Sequence, residues 1–289
     1  MTYVAEEIHS QPDCWRRAAG SEGQSAAHDR LPRPGERVAV VGCGTSWFMA
    51  MAYAALREAA GHGETDAFAA SEFPTGRHYD RVVAITRSGT TSEVLALRPD
   101  TVIVGDATSP IVDIAEHVVA LPWADERSVV QTRFATTALA VLRASLGSPD
   151  LSADAQKALA MPLPVDVADL EQITFVGRGW TIGLAHEAAL KCREAAVFWS
   201  EAYPAMDFRH GPIAISGVHR AVWAFGSVPE GLAADVAKTG ATFLHTESID
   251  PMAHLIVAQR LAVALAEHRG LDPDAPRHLT RSVILGRSA

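Results

Sequence analysis

Lysine is nearly absent from this chain of 289 residues, since only three of its 25 basic residues are lysines. They are Lys157, Lys191 and Lys238, so chemistry that needs a neutral amine has few candidate side chains. A basic excess is absent as well, because the formal net charge is −9. Surfaces that bind nucleic acid normally carry such an excess. We therefore expect no nucleic-acid partner.

Cysteines and long apolar segments are also scarce. Cys14, Cys43 and Cys192 are far apart and odd in number, which fits neither a disulfide framework nor a paired metal site. The N-terminus lacks the apolar core of a signal peptide. No apolar run approaches the roughly 18 residues that cross a membrane. We expect a cytoplasmic protein with no membrane partner and no bound metal.

A short motif occurs in both halves of the chain. Residues 40–44 are Val-Val-Gly-Cys-Gly, and residues 175–179 are Phe-Val-Gly-Arg-Gly. Each copy ends an apolar, strand-like run and precedes an Ala-rich helical stretch, which predicts a duplicated α/β domain. The third glycine of a dinucleotide-binding motif is missing, because Trp47 and Ile182 stand in its place.

Strand-like and helix-like segments alternate along the whole chain. Because the strands are almost continuously apolar, we predict an α/β fold with two parallel sheets, each flanked by helices on both faces in a flavodoxin-like three-layer sandwich. The predicted organisation is a helical lead-in over residues 1–35, a first domain over 36–150 and a second over 165–289. A linker rich in Ser, Asp, Pro and Ala is expected over 148–164.

Two hydroxyl-rich loops follow strands of the first predicted domain, at residues 44–46 and 86–92. In an open parallel sheet, ligands bind beyond the carboxyl ends of the strands. Hydroxyls and free amides at that edge can bind phosphate. Either loop alone is more simply explained by helix caps and turns. Two such loops at one edge, one of them with Arg87, favour an anion site.

Glu187, Lys191 and Glu194 are spaced i, i+4 and i+7, which places them on one face of one predicted helix. The commoner explanation of such a pattern is a solvated, salt-bridged face. The flanking segments 188–190 and 195–198 are apolar, however, which favours a buried cluster whose pKa values are tuned for chemistry. We leave both interpretations open.

Together these segments resemble the SIS (sugar isomerase) family. The resemblance rests on residues 40–46, 86–91, 126–136 and 187–194 and on His210-Gly211-Pro212, and it runs with gaps from about Glu7 to Val283. The pattern is similar to the double-SIS isomerase half of glucosamine-6-phosphate synthase. It therefore implies two tandem SIS domains, a sugar-phosphate ligand and no cofactor.

The resemblance also assigns residues to roles. In the second domain it implies Glu194 as the proton-shuttling base, with Lys191 and Glu187 in support. It implies His210 as the ring-opening group, contributed across the interface of a homodimer. In the first domain it implies that Thr45, Ser46, Thr86, Arg87, Ser88 and Thr91 hold the phosphate and that the segment with Val129 and Gln131 touches the sugar. Gly44 and, in the second domain, Arg281 complete the predicted substrate-binding residues.

Arg281 stands where the synthase has a lysine. Arginine stays protonated and forms no Schiff base, which argues against a covalent amine role. An anion-binding or lid role remains open. The chain begins Met1-Thr2, without the nucleophilic cysteine of an amide-hydrolysing domain, so glutamine-driven amination is not expected.

These observations predict an isomerase of a hexose or aminohexose 6-phosphate, acting alone or coupled to deamination or ammonia-dependent amination. One alternative is a deglycase of phosphorylated fructosamines that uses the same base and the same loops. The other is a non-catalytic sugar-phosphate sensor that binds a partner protein. Arg281 and shortened segments after Leu97 and Val228 favour the sensor, whereas Glu194 and His210 disfavour it.

Overall fold

The structure is a computed structural model that describes residues 2–286. Residue 1 of the predicted lead-in and residues 287–289 of the predicted second domain lie outside the described residues. In chain order, the helices and strands are α1 (Tyr3–His9), α2 (Gln11–Ala19), α3 (Ser21–Ala27), β1 (Val38–Gly42), α4 (Thr45–Ala59), β2 (Thr65–Ala69), β3 (Arg81–Thr86), α5 (Ser92–Leu97), β4 (Thr101–Val104), β5 (His117–Ala120), α6 (Arg133–Ser145), α7 (Ser152–Ala160), β6 (Gln172–Gly177), α8 (Thr181–Ala196), β7 (Ser200–Pro204), β8 (Arg220–Phe225), α9 (Leu232–Lys238), β9 (Thr242–Leu244) and α10 (Pro251–His268).

The first sheet belongs to a compact unit made of residues 10–152 and 278–286, which we call the five-stranded unit. Its strands pair in parallel in the order β2-β1-β3-β4-β5. This is the flavodoxin-like strand order, in which the direction of winding reverses between β1 and β3. All five residues of β1 are buried, as expected for a strand covered by helices on both faces.

The second sheet belongs to a unit made of residues 2–9 and 153–277, which we call the four-stranded unit. Its strands are also parallel, in the order β7-β6-β8-β9. This order repeats that of the first four strands of the other sheet. The predicted α/β fold class is therefore confirmed in both units.

The repeated Gly-x-Gly motif occupies the same turn in both sheets. A Cβ on Gly42 would lie 2.6 Å from the main chain of Ser46, and one on Gly177 would lie 2.3 Å from the carbonyl oxygen of Thr181. The second glycines, Gly44 and Gly179, have φ angles of 54° and 56°, which L side chains rarely adopt. Both glycines are thus required by the tight turn from a central strand into its helix.

The structure differs from the predicted organisation in three respects. The expected linker contains helix α7, and the edge strands β2, β7 and β9 were not predicted. Edge strands are hard to recognise because their side chains are only partly buried, as in β2 and β7. Residues 2–9 group with the four-stranded unit and residues 278–286 with the five-stranded unit, which sequence order cannot reveal. No helix within residues 2–286 is long and apolar enough to cross a membrane.

Candidate active site

A small polar pocket lies in the five-stranded unit at the carboxyl ends of β1 and β3, where the direction of winding reverses. It brings together residues from both hydroxyl-rich loops, from the segment before α6 and from the C-terminal tail. The lining includes Cys43, Ser46, Thr86, Arg87, Ser88, Thr91, Gln131 and Arg281. Of the predicted phosphosugar contacts, Gly44, Thr45 and Val129 are not in this lining.

The pocket is rich in hydroxyl groups held in fixed positions. Thr86 Oγ1 accepts a hydrogen bond from the Gly89 amide at 3.3 Å, and Ser88 Oγ accepts one from the Thr90 amide at 3.3 Å. A hydroxyl that accepts a hydrogen bond still has a hydrogen to donate. Ser46 lies in the first turn of α4, where the helix dipole also favours an anion. The arrangement therefore suits the oxygens of a phosphate group.

Arg87 is part of the pocket wall, and its side chain is only 1% exposed. Its guanidinium donates to the carbonyl oxygens of Ser128 at 2.6 Å, Val129 at 3.3 Å and Arg281 at 3.2 Å. These contacts fasten the segment before α6 and the C-terminal tail to the β3 loop. The structure therefore gives Arg87 a positioning role, and its direct contact with phosphate stays a prediction.

Glu126 holds the other end of the same segment, next to the start of α6. Its buried carboxylate accepts hydrogen bonds from the Thr132 amide at 2.6 Å, the Thr132 hydroxyl at 2.9 Å and the Arg133 amide at 2.8 Å. These amides belong to the start of α6, where the helix dipole stabilises negative charge. Arg87 Nη1 lies 3.8 Å from the carboxylate. Residues 126–133 are thus held at both ends by buried charged groups.

The C-terminal tail closes one side of the pocket. Arg281 Nη2 lies 2.6 Å from Asp125 Oδ1, and its Nη1 donates to the carbonyl oxygen of Glu126. Thr90 Oγ1 lies 2.9 Å from Ser282 Oγ, and the Ser92 amide donates to the Val283 carbonyl at 3.2 Å. Asp125 and the Glu126 carbonyl therefore hold the Arg281 guanidinium against the body of its own unit.

Cys43 follows β1 in the same pocket. Burial raises the pKa of its thiol to about 11, and the nearby Glu93 carboxylate adds to the effect. The thiol is therefore protonated near neutral pH and is a weak nucleophile there. Cys43 contributes shape and a weak hydrogen-bond donor to the pocket, with no sign of an activated sulfur.

A carboxylate–amine–carboxylate trio lies in the four-stranded unit, on helix α8. Lys191 Nζ is 2.5 Å from Glu194 Oε2 and 3.4 Å from Glu187 Oε1. The side chains of Glu187 and Lys191 are each 1% exposed, whereas that of Glu194 is 19% exposed. The trio is therefore not a solvated salt-bridged face. Glu194 is its accessible member, and the other two are buried behind it.

His210 is exposed at the end of a 3₁₀ turn, Asp207–His210, in the same unit. The preceding Arg209 forms an ion pair with Asp235 and donates to the Glu230 carbonyl at 3.0 Å. These contacts anchor the turn to the start of α9 and leave the imidazole accessible. Within residues 2–286, His210 makes no hydrogen bond or ion pair with Glu194 or its neighbours on α8. No group of three or more His, Cys, Asp or Glu residues in that range is arranged to hold a metal ion.

Known proteins resemble this chain over nearly its whole length. The glutamine–fructose-6-phosphate aminotransferase (isomerizing) of Methanothermobacter thermautotrophicus is 26% identical over 98% of the chain, which spans 57% of that longer relative. The structure of glucosamine-6-phosphate deaminase from Thermotoga maritima matches with a TM-score of 0.80 at 23% identity, covering 98% of this chain and all of that one. No protein-family model matches the chain.

A third similar protein is named for a different reaction. Tagatose-6-phosphate ketose/aldose isomerase from Escherichia coli matches with a TM-score of 0.76 at 18% identity, covering 100% of this chain and 98% of that one. The chain has the SIS fold. This SIS fold is shared by proteins named for deamination and for isomerisation, so the reaction has to be argued from the residues of the site.

Two acidic residues that hold the walls of the pocket in place, Glu126 and Asp125, are not among the functional residues predicted from the sequence. Glu126 precedes α6 by seven residues, which is too far upstream for the usual helix-start signals to reveal it. The contact of Asp125 with Arg281 joins residues that are far apart in the chain, and no local pattern predicts it. By contrast, the trio on α8 was recognised from its spacing alone.

Proposed function

We propose that this protein is an isomerase of a hexose or aminohexose 6-phosphate, with Glu194 as the base that moves the proton. The observation that carries the proposal is the burial of the trio on α8, in which Glu194 alone is accessible. A buried ion pair is costly to maintain for stability alone, because both charges lose their hydration. A positioned carboxylate with a fixed cationic partner is, in contrast, well suited to general base catalysis.

Interconversion of an aldose and a ketose moves one proton between two adjacent carbons. Glu194 would remove the proton from the carbon beside the carbonyl group and return it to the former carbonyl carbon. The hydroxyl proton on the first carbon would pass to the carbonyl oxygen of the second, so that atoms and charge balance. Lys191, at 2.5 Å, orients the carboxylate. Glu187 compensates the charge of the buried ammonium group.

The other proposed roles follow the same chemistry. Histidine is a common general acid and base, and the exposed imidazole of His210, on an anchored turn, would open the sugar ring. The hydroxyl-rich pocket of the five-stranded unit would bind the phosphate. We propose a homodimer in which His210 acts on the sugar bound to the neighbouring subunit.

Proton exchange into the sugar tests the role of Glu194 directly. With fructose 6-phosphate in deuterated water, the wild-type protein should incorporate deuterium at C1 or C2, detected by nuclear magnetic resonance. Glu194→Gln removes the basic oxygen at almost constant volume, and exchange should fall by at least about 100-fold while binding persists. The matched control is Glu247→Gln, at an exposed position, which should exchange as the wild type does. Undiminished exchange in Glu194→Gln would reject the assignment.

The non-catalytic sensor is the second candidate, and Arg281 favours it. Its guanidinium is held by Asp125 and a main-chain carbonyl, so no free amine stands at this position. If calorimetry shows that the wild type binds hexose 6-phosphates but no deuterium is incorporated, the sensor replaces the isomerase. Release of an amino acid from a fructosamine 6-phosphate, without turnover of fructose 6-phosphate, would instead identify a deglycase.

A further inference from the structure

A groove lies between helices α1 and α10 of the four-stranded unit, and all of its lining residues belong to that unit. Its volume of about 310 Å³ is within the range of sites that hold small organic ligands. It shares no lining residue with the hydroxyl-rich pocket and includes no member of the trio on α8. The lining includes Ile8 from α1, Leu163 from the segment after α7, and Arg260, Val263, Ala264 and Glu267 from α10.

The α10 side of the groove is one stripe of that helix, because its residues are spaced i, i+3, i+4 and i+7. The middle of the stripe, Val263 and Ala264, is apolar and lines the groove together with the buried Ile8 of α1. Arg260 and Glu267 stand at the two ends of the stripe, about 10 Å apart along the helix axis. The groove therefore has an apolar floor between two opposite charges.

The walls of the groove are fastened to their surroundings. The amides of Tyr3 and Val4 donate to the Asp274 carboxylate at 2.7 and 3.0 Å, which ties the start of α1 to the segment after α10. The segment with Leu163 is held by Arg260, whose Nη1 donates to a main-chain carbonyl two residues before it at 2.6 Å. The shape of the groove is thus largely formed before any ligand binds.

The guanidinium of Arg260 is only partly used by the protein. Its Nη1 donates to the carbonyl oxygens of Ala158 at 2.9 Å and Met161 at 2.6 Å, at the end of α7. Among residues 2–286, Nε and Nη2 meet no acceptor and no carboxylate pairs with the side chain. Burial lowers the pKa of Arg260, and no acidic neighbour offsets this effect. The Nε–Nη2 edge is therefore available to an anion.

The free edge and the floor together define the chemistry of a ligand. Two parallel N–H donors match the two oxygens of a carboxylate. The apolar floor disfavours hydroxyl groups, which would lose their hydration against it, so a sugar phosphate does not suit this groove. Glu267, at the far end, disfavours a second anion. The remaining ionisable group of the lining, His9, is exposed, and its Nδ1 lies 2.7 Å from the Ala5 carbonyl oxygen.

We propose that the groove between α1 and α10 is a binding site for a monocarboxylate with an apolar chain, of the medium-chain fatty acid class. The carboxylate binds the Nε–Nη2 edge of Arg260, and the chain lies along Ile8, Val263 and Ala264 toward Glu267. This site goes beyond the proposed function and does not depend on it, because no residue of the proposed catalytic machinery lines the groove.

Titration of the full chain with octanoate, followed by nuclear magnetic resonance, tests the site. Saturable shifts are expected for the amide signals of Ile8, Val263 and Ala264. Octan-1-ol has the chain without the charge and should bind at least about tenfold more weakly, because it loses the hydrogen bonds to the guanidinium. Acetate has the charge without the chain and should bind more weakly still. Octanedioate should bind more weakly than octanoate, because its second carboxylate lies near Glu267.

Arg260→Met removes the guanidinium and keeps the length of the side chain. Its affinity for octanoate should fall by at least about tenfold, while its affinity for octan-1-ol stays within about twofold of the wild type. The matched control is Arg277→Met, at an exposed position of the same unit, which should bind octanoate as the wild type does.

A second variant leaves Arg260 and its contacts with α7 untouched. Ala264→Phe fills the groove with a larger side chain, so that neither octanoate nor octan-1-ol should bind. Ala237→Phe, at an exposed position of α9, makes the same change elsewhere in the unit and should bind both probes normally. Melting temperatures report whether each variant folds.

Three outcomes would overturn the site. The first is equal binding of octanoate and octan-1-ol by the wild type, which would deny a role to the guanidinium. The second is undiminished binding of octanoate by Ala264→Phe, which would place the ligand elsewhere. The third is a set of shifts that does not saturate or that spreads over the surface, as a detergent-like effect would produce. None of these outcomes bears on proton exchange by Glu194.

Discussion

At the scale of single residues, the main surprise is the environment of Arg87. Its place in a hydroxyl-rich loop suggested direct contact with an anion, yet its donors bind the carbonyl oxygens of Ser128, Val129 and Arg281. A planar guanidinium can serve several acceptors at once, which an ammonium group cannot do in the same geometry. The residue type therefore matters here for its shape as well as for its charge.

Substitution of Arg87 by lysine should loosen the C-terminal tail while keeping the buried charge. Because lysine cannot bind three carbonyls in this arrangement, we expect trypsin to cleave after Arg281 several-fold faster than in the wild type, as measured by mass spectrometry. Fructose 6-phosphate should bind about tenfold more weakly. The control is Arg16→Lys, at an exposed position of α2, for which the cleavage rate and the affinity should both be unchanged. If trypsin cleaved Arg87→Lys at the wild-type rate, the tail would be held in place without this residue.

At the scale of elements, helix α8 combines two kinds of side chain. Its small apolar residues pack it among the buried residues of its unit, and Glu187 and Lys191 are buried with them. Charged side chains are almost never fully buried unless they are paired. The pairing within the trio explains how charged side chains of this helix can be buried.

Removal of the cation from the trio should destabilise the four-stranded unit. Lys191→Met leaves the buried carboxylate of Glu187 without its ammonium partner. We therefore expect the free energy of unfolding, measured by urea titration, to fall by about 3–5 kcal/mol. Replacing both buried members, in Lys191→Met with Glu187→Leu, should recover part of this loss. A double variant that is less stable than Lys191→Met would contradict the interpretation of the trio as a mutually compensating charge cluster.

At the scale of the whole molecule, the proposed homodimer can be tested through its shared site. Glu194→Gln and His210→Asn should each be inactive as pure proteins. After mixing and reassembly, about half of the dimers are mixed, and each has one site with both residues intact, so about a quarter of wild-type activity should return. Activity assays over a series of mixing ratios measure this recovery. Absence of recovery, with subunit exchange demonstrated by mass spectrometry, would place both residues in one subunit's site.

Much of the fold could be read from the sequence because it depends on local patterns. The central strands are continuously apolar and the helices are Ala-rich, so periodicity reveals them, and the Gly-x-Gly turns mark the passage from β1 to α4 and from β6 to α8. The edge strands β2, β7 and β9 were missed because partial burial leaves no clear pattern. Helix α7 was missed because its composition resembles that of a linker.

The sequence by itself determined the α/β class, the repeat of the Gly-x-Gly motif and the placement of Glu187, Lys191 and Glu194 on one helical face, since spacing alone fixes which residues share a face. Only the tertiary structure decided that this face is buried, that Arg87 binds carbonyls, and that Gln131 Oε1 lacks a donor. Burial and hydrogen-bond partners depend on segments far apart in the chain, such as β3, the start of α6 and the C-terminal tail, and no local pattern contains that information.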